Sequence, residues 1–259
     1  MERGGKFRPA VAMVIPTLNE AEAIGPLIAR VPRDIVTAII VADGGSTDAT
    51  VDCATAAGAR VVAAGRGYGR ACLRGAIEAG SETEIIVFMD GDGSDHPEVV
   101  ATLVDPIARG SHDFVIGSRI RGQREVASMG AHQVIAGRLI GAAIGALYGV
   151  TYTDMCAFRA IRRDVVLGLG MREMTYGWNL EMQMRVARAG LRVLEAPVPY
   201  DRRRAGASKV AGSTRGSLRA ATHILSTFVR IATEPRPIIQ TGIDVSPRSM
   251  ANLDGANDQ

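Results

Sequence analysis

The feature that most constrains the fold is a row of short apolar runs. Each is closed by a polar or glycine-rich turn and followed by a stretch of helical periodicity. Val11 to Ile15 is the first and stops at Pro16. Asn19 and Glu20 then open a segment in which Ile24, Leu27, Ile28 and Val31 recur at helical spacing. Val36 to Ala42 is the second run, closed by Asp43-Gly44-Gly45, after which Ser46 is placed to cap a helix with Asp48 in its first turn. Arg60 to Ala63 precedes Gly65-Arg66-Gly67-Tyr68-Gly69, a helix through Leu73 and Ile77 follows, and Ile85 to Met89 is the fourth run.

Strand and helix alternating at a spacing of about 25 residues imply parallel strands joined by right-handed crossovers. Ligands of such sheets bind beyond the carboxyl ends of the strands. Three of those ends carry Asn19-Glu20, Asp43 and Asp90-Gly91-Asp92, so these side chains are expected on one rim. The fold class is therefore α/β, a single domain with a mostly parallel central sheet and helices on both faces.

Pro97 to Arg109 reads as a further helix and Asp113 to Gly117 as a strand leading to Ser118-Arg119. The second half is less regular. It offers a small-residue helix near Gly130 to Tyr148, a segment around Asp154 to Arg163, and a helix from about Asn179 to Ala189. Short strands near Arg192 to Tyr200 and an amphipathic helix from Thr214 to Ile231 complete it. The expected division is an N-terminal extension over 1–9, a domain over 10–233 and a weakly ordered tail over 234–259. Within the domain a nucleotide-binding half covers about 10–119 and an acceptor half about 120–233. The tail is rich in Pro, Ser, Asn, Asp and Gly.

Composition narrows the function classes. A net charge of +3 is too small to argue for nucleic acid, which is excluded as a partner. Arg202, Arg203, Arg204, Lys209 and Arg215 crowd one stretch, a local patch suited to phosphates or an anionic membrane surface. Cys53, Cys72 and Cys156 lack metal-ligand spacing and read as reduced, small buried residues. Met1 to Pro9 is polar and basic, unlike a secretory leader. Leu139 to Val150 is the most membrane-like run, about half the ~20 residues a spanning helix needs. A cytoplasmic chain is expected, able to rest peripherally on the membrane.

Asp90-Gly91-Asp92 carries the strongest chemical signal. Two carboxylates one residue apart at a strand end can converge on a hard cation, Mg²⁺ or Mn²⁺, shared with substrate phosphates. Such a triplet is more often a surface turn, but its place behind a buried strand favours the metal. Asp43 is equally suited to a base or ribose and to capping the helix near Thr47. The glycine-rich segment is not a dinucleotide fingerprint, because Cys72 stands where the third glycine belongs and the segment follows the third strand.

Val14-Ile15-Pro16-Thr17-Leu18-Asn19-Glu20, Asp43-Gly44-Gly45-Ser46-Thr47-Asp48 and Asp90-Gly91-Asp92 resemble the three signatures of family 2 inverting glycosyltransferases. Gly117-Ser118-Arg119, Asp154 with Phe158-Arg159, and Gly206-Ala207-Ser208-Lys209 are similar to dolichol-phosphate mannose synthases and bacterial polyprenyl-phosphate hexosyltransferases. The resemblance runs in order over roughly residues 10 to 233. It implies a GT-A fold, a nucleotide-sugar co-substrate (GDP-mannose or a UDP-hexose) and inversion at the anomeric carbon. By the same resemblance Pro16, Thr17, Asn19, Glu20, Asp43 and Gly67 belong to the donor pocket, and Asp90 and Asp92 hold the metal. Arg119, Asp154, Arg159, Arg203, Ser208 and Lys209 belong to the phosphate and acceptor side. The chain departs from the pattern at Gly44, where many members have a second Asp, and over Gly93-Ser94-Asp95-His96-Pro97, which leaves a third metal ligand unassigned.

Glu181 bears on the acceptor. An alcohol needs a general base, whereas a phosphate monoester, with a second pKa of about 6, is already anionic. Glu181 sits where family 2 enzymes acting on alcohols often carry that base, and equally where a helix dipole favours any carboxylate. Three functions are thus in play. The leading one is hexosyl transfer to a polyprenyl or dolichyl phosphate. The second keeps the donor but uses a small soluble hydroxyl acceptor with Glu181 as base, and the third is a non-catalytic sugar-nucleotide-binding protein. Trp178 reads as packing rather than sugar stacking. Oligomeric state, including a homo-oligomer, is left open.

Overall fold

The computed structural model describes residues 8–126, 128–203 and 214–235. Its first half follows the alternation in the sequence. Strands β1 (Val11–Thr17), β2 (Ala38–Asp43), β3 (Arg60–Ala63) and β4 (Ile85–Phe88) are joined by helices α1 (Ala21–Ala29), α2 (Thr50–Ala56) and α3 (Tyr68–Glu78). All four strands run parallel. Every residue of β1 is buried, as a central strand covered on both faces requires, and its apolar run is accordingly unbroken.

The second half adds α4 (Val100–Ala108), β5 (Phe114–Ser118), α5 (Ala131–Tyr148), β6 (Arg159–Arg162), α6 (Arg163–Gly168), α7 (Trp178–Arg188), β7 (Val193–Pro197) and α8 (Thr214–Thr233). The seven strands form one sheet in the order β3-β2-β1-β4-β6-β5-β7. β6 is antiparallel to both neighbours and places Arg159 opposite Phe88. It is a strand the sequence did not announce, because Arg-Ala-Ile-Arg is too short and too charged at its ends to read as an apolar run. The sheet is mostly parallel with helices on both faces, as expected.

Two local expectations are corrected. Ser46 does not cap a helix, since α2 begins only at Thr50, and its hydroxyl donates instead to Asp43. Asp48 lies just outside α2, accepting from the backbone N–H of Thr50 and of Ala21. Trp178 is fully buried, edge-on to Phe88 with ring centroids 6.2 Å apart, which confirms packing.

The glycines of α5 explain its small-residue composition. Gly137, Gly141 and Gly145 recur every four residues and face the chain at 151–154. A Cβ on Gly141 would overlap the Tyr152 carbonyl, and one on Gly145 the Thr151 hydroxyl. The glycine stripe therefore serves close packing inside the domain. Among the described residues no helix is long and apolar enough to cross a membrane. Gly141→Ala should destabilise the fold by about 1–3 kcal/mol through overpacking. Gly137→Ala, whose Cβ would stand 3.7 Å from the nearest atom, should be neutral or stabilising because alanine favours the helix. Thermal melts of the two variants measure the contrast.

Candidate active site

The carboxyl ends of the four parallel strands surround a cleft of about 440 Å³. Pro16, Thr17, Leu18 and Glu20 come from the end of β1, and Arg66, Gly67 and Tyr68 from the turn after β3. Asp90, Gly91 and Asp92 follow β4. The far wall is made by Thr175, Tyr176 and Asn179 with Ile224 of α8, and Arg203 closes it. The gathering of acids on one rim, expected from the topology, is present. A second depression at the amino ends of the strands, near Glu84, Asp113 and Arg192, is remote from every motif.

The acids after β4 are held under electrostatic tension. The Tyr68 hydroxyl donates to Asp90 Oδ1 at 3.0 Å. Burial and then the neighbouring charge of Asp92 push the Asp90 carboxyl up to about 6. Asp92 Oδ1 accepts from the backbone N–H and hydroxyl of Ser94, while its Oδ2 lies 3.0 Å from Arg203 Nη2. Arg203 Nη1 also donates to Glu20 Oε1 at 3.1 Å. Asp95, whose place in the site sequence reasoning missed, is buried beside this pair. Burial, then Asp90 and Asp92, raise its carboxyl well above the usual range, and its Oδ1 has no hydrogen-bond partner among the described residues.

These residues fit a hard divalent cation. The donors are carboxylate oxygens, their like charges strain one another, and one buried oxygen is orphaned. Among the described residues no three His, Cys, Asp or Glu side chains form a closed cage. Mg²⁺ and Mn²⁺ are commonly held by one or two carboxylates, with the remaining positions left for substrate phosphates and water.

Several residues named from the sequence hold the site together rather than face it. Asp43 accepts from the N–H groups of Gly45 and Ser46 and from the hydroxyls of Ser46 and Thr17, so its carboxylate closes the turn after β2. Asn19, at φ 54°, accepts from the Thr47 N–H and donates its own N–H to Ser46, lacing the first two turns together. Gly67, at φ 128°, does line the cleft, and a Cβ there would lie 2.5 Å from the Met174 carbonyl. The glycines thus admit the 173–174 backbone, which takes the Arg70 N–H on Met174 O at 3.0 Å.

The phosphate-side expectations are also revised. Arg119 forms a two-pronged pair with Asp154, at 2.8 and 2.7 Å, and its guanidinium lies 4.9 Å above the Tyr200 ring. Burial opposes the Asp154 charge, but Arg119 outweighs it and holds that carboxyl below the usual range. Neither residue lines the cleft; the pair ties the end of β5 to the segment that leads into β6. Arg159 is fully buried and donates to the carbonyls of Cys156, Ala157 and Asn179, so it contributes positive charge beneath Asp90 without reaching a ligand. Ser208 and Lys209 lie outside the described residues.

Glu181 is fully buried with both oxygens engaged. Oε2 accepts from the N–H groups of Arg172 (2.9 Å) and Glu173 (2.6 Å), and Oε1 from Arg185 (2.8 Å) and Arg230 (3.2 Å). It fastens the cleft's far wall to α7 and α8. A base must reach the acceptor proton directly or through one water, and this carboxylate faces inward. Tyr68 and Asp95 were missed for different reasons. Nothing in sequence spacing links Tyr68 to Asp90, whereas Asp95 stood in the segment already marked as departing from the pattern.

A run of parallel strands with an acid pair after β4, continued in the same sheet by antiparallel β6 and by β5 and β7, is the architecture of the GT-A fold. The chain belongs to glycosyl transferase family 2, whose model matches residues 12–169. It is 36% identical over 216 residues to an uncharacterized glycosyltransferase of Mycobacterium tuberculosis, covering 82% of this chain and 94% of that protein. It is 31% identical over 228 residues to the undecaprenyl-phosphate mannosyltransferase of Micrococcus luteus, covering 80% and 89%. Among solved structures, glucosyl-3-phosphoglycerate synthase of M. tuberculosis in complex with phosphoglyceric acid superposes with a TM-score of 0.70 at 24% identity, over 92% of this chain and 83% of that one, a likeness of fold.

The Glu181 network makes a specific outcome expected. Glu181→Ala should cost about 3–5 kcal/mol of stability, because it strips a buried carboxylate from Arg185 and two backbone donors. Glu181→Gln should melt lower yet turn over substantially per folded molecule. A loss of about 10²–10⁴-fold in kcat at unchanged stability would restore the base role.

Proposed function

We propose that this glycosyltransferase moves a hexose, with inversion, from GDP-mannose or a UDP-hexose to a polyprenyl phosphate at a membrane surface, in a metal-dependent reaction. The observation that carries the acceptor class is the state of Glu181. The carboxylate best placed by sequence to serve as base is internally saturated, and a phosphate acceptor needs no base. The mannosyltransferase of M. luteus and the dolichyl-phosphate hexose transferase of Haloferax volcanii, 34% identical, support the same acceptor class by name. A manganese and UDP-glucose complex of the structural neighbour is in keeping with a divalent ion and a nucleotide sugar.

Each part of the cleft has a task in this reaction. Pro16, Thr17 and Glu20 border the nucleoside end, whose turns are set by Asn19 and Asp43. Asp90 and Asp92 are the residues that would hold the cation, which when bound neutralises charge on the departing nucleoside diphosphate. Tyr68 orients Asp90 through its hydroxyl. An acceptor phosphate oxygen attacks the anomeric carbon from the face opposite the diphosphate, and the C–O bond to the diphosphate breaks as the new one forms. Arg203 and Arg66 are the described cations that line the cleft where those phosphates would lie.

Membrane contact has its support in α5. Ile135 and Leu139 are 58% and 67% exposed, one turn apart on its outward side, and Val126 is 82% exposed. Arg121, Arg124 and Arg138 are exposed in this part of the chain, exposed Arg202 donates to the Val126 carbonyl beside it, and these cations suit anionic headgroups.

Incubation with labelled GDP-mannose or UDP-glucose, Mn²⁺ and a polyprenyl phosphate should move label into an organic-extractable product, and Asp92→Asn should lower that rate by about 10²–10³-fold. Label transferred only to a water-soluble alcohol, or full turnover in chelator, would overturn the reading. In flotation with anionic vesicles the protein should co-migrate at low salt, and Ile135→Glu with Leu139→Glu should abolish this while sparing turnover on a short-chain, water-soluble acceptor.

A further inference from the structure

One guanidinium spans the cleft from the end of the first strand to the end of the fourth. Arg203 Nη1 meets Glu20 Oε1 at 3.1 Å and Nη2 meets Asp92 Oδ2 at 3.0 Å. The two acids are almost wholly buried, while the arginine side chain remains 28% exposed on the cleft side. Asp92 has its other oxygen occupied by Ser94, so the oxygen beneath Arg203 is the one it directs toward the cleft. That oxygen is also the one a cation shared with a diphosphate would take.

We propose that Arg203 is a stand-in cation: it neutralises Asp92 in the donor-free protein, yields that carboxylate to the divalent ion, and is thereby released to the donor's phosphates. The inference rests on the metal-dependent reading above. A cation that takes the Asp92 oxygen must first displace the guanidinium paired with it, so the ion's apparent affinity falls by the strength of the pair it must break. A nucleoside diphosphate changes the balance, because it supplies new anionic partners for Arg203 and new ligands for the ion at once. Metal and donor therefore bind cooperatively, and metal alone binds weakly. Glu20 holds Nη1, not the Nη2 that meets Asp92, so release from Asp92 leaves the arginine a second anchor.

Manganese titration of the full-length protein, followed by the electron paramagnetic resonance of free Mn²⁺, tests this without any turnover. In the absence of nucleotide, Arg203→Met should bind Mn²⁺ about tenfold more tightly than the parent, the scale of one lost ion pair on a buried carboxylate. Arg203→Lys, which keeps the charge but not the two-pronged reach, should gain about threefold and covers the case in which the methionine variant folds poorly. Adding GDP or UDP should tighten Mn²⁺ binding much more in the parent than in either variant. Unchanged or weaker Mn²⁺ binding in both variants, with a parent site that is measurable, overturns the stand-in role alone. No Mn²⁺ binding by any of the three proteins, with or without GDP or UDP, overturns the metal reading and the inference with it.

Discussion

Repulsion among the buried carboxylates at the end of β4 is the constraint to which the rest of the site is fitted. Asp90, Asp92 and Asp95 share a poorly solvated rim, and the first and last are raised by burial and by their neighbours. Unrelieved, such a cluster would push the strand end apart or stay protonated. Relief comes from every side: Tyr68 from α3, Ser94 from the same turn, Arg159 from beneath and Arg203 from across the cleft. A site strained by like charge and bordered by cationic arms suits the metal-dependent reaction proposed above.

The opposite wall is organised by one buried anion. Glu181 draws the backbone of Arg172 and Glu173, α7 through Arg185 and α8 through Arg230 to a single point. The segment so fixed leans on Gly67 and Gly69, and the tyrosine between those glycines reaches Asp90. Position is thus passed from a carboxylate outside the cleft to one inside it through backbone contact. A side chain without access to substrate can set where the acids sit.

Much of this was legible in the sequence because parallel strands buried on both faces write themselves as apolar runs. Val11 to Ile15 and Ile85 to Met89 could hardly be anything else, and the acids at their ends followed from topology. What stayed hidden were partnerships. Asp43, Asn19, Arg119 and Asp154 are residue types that bind ligands and equally types that close turns and pair with each other, and sequence cannot show which oxygen is already occupied. β6 was hidden because its stability comes from two flanking strands rather than from its own four residues.

That strand also bears on how the first and second halves of the chain are joined. β6 comes from the acceptor half, yet it is inserted between β4 and β5 of the nucleotide half. A fragment ending near Arg119 would keep β4 and β5 without β6, which joins them, and without β7 on the far side of β5, baring three unpaired edges of the kind that recruit other chains. Nucleotide and acceptor halves are therefore regions of a sequence rather than separable modules. A single sheet interleaved in this way favours one cooperative unfolding unit, in which damage to either half of the chain lowers the stability of both.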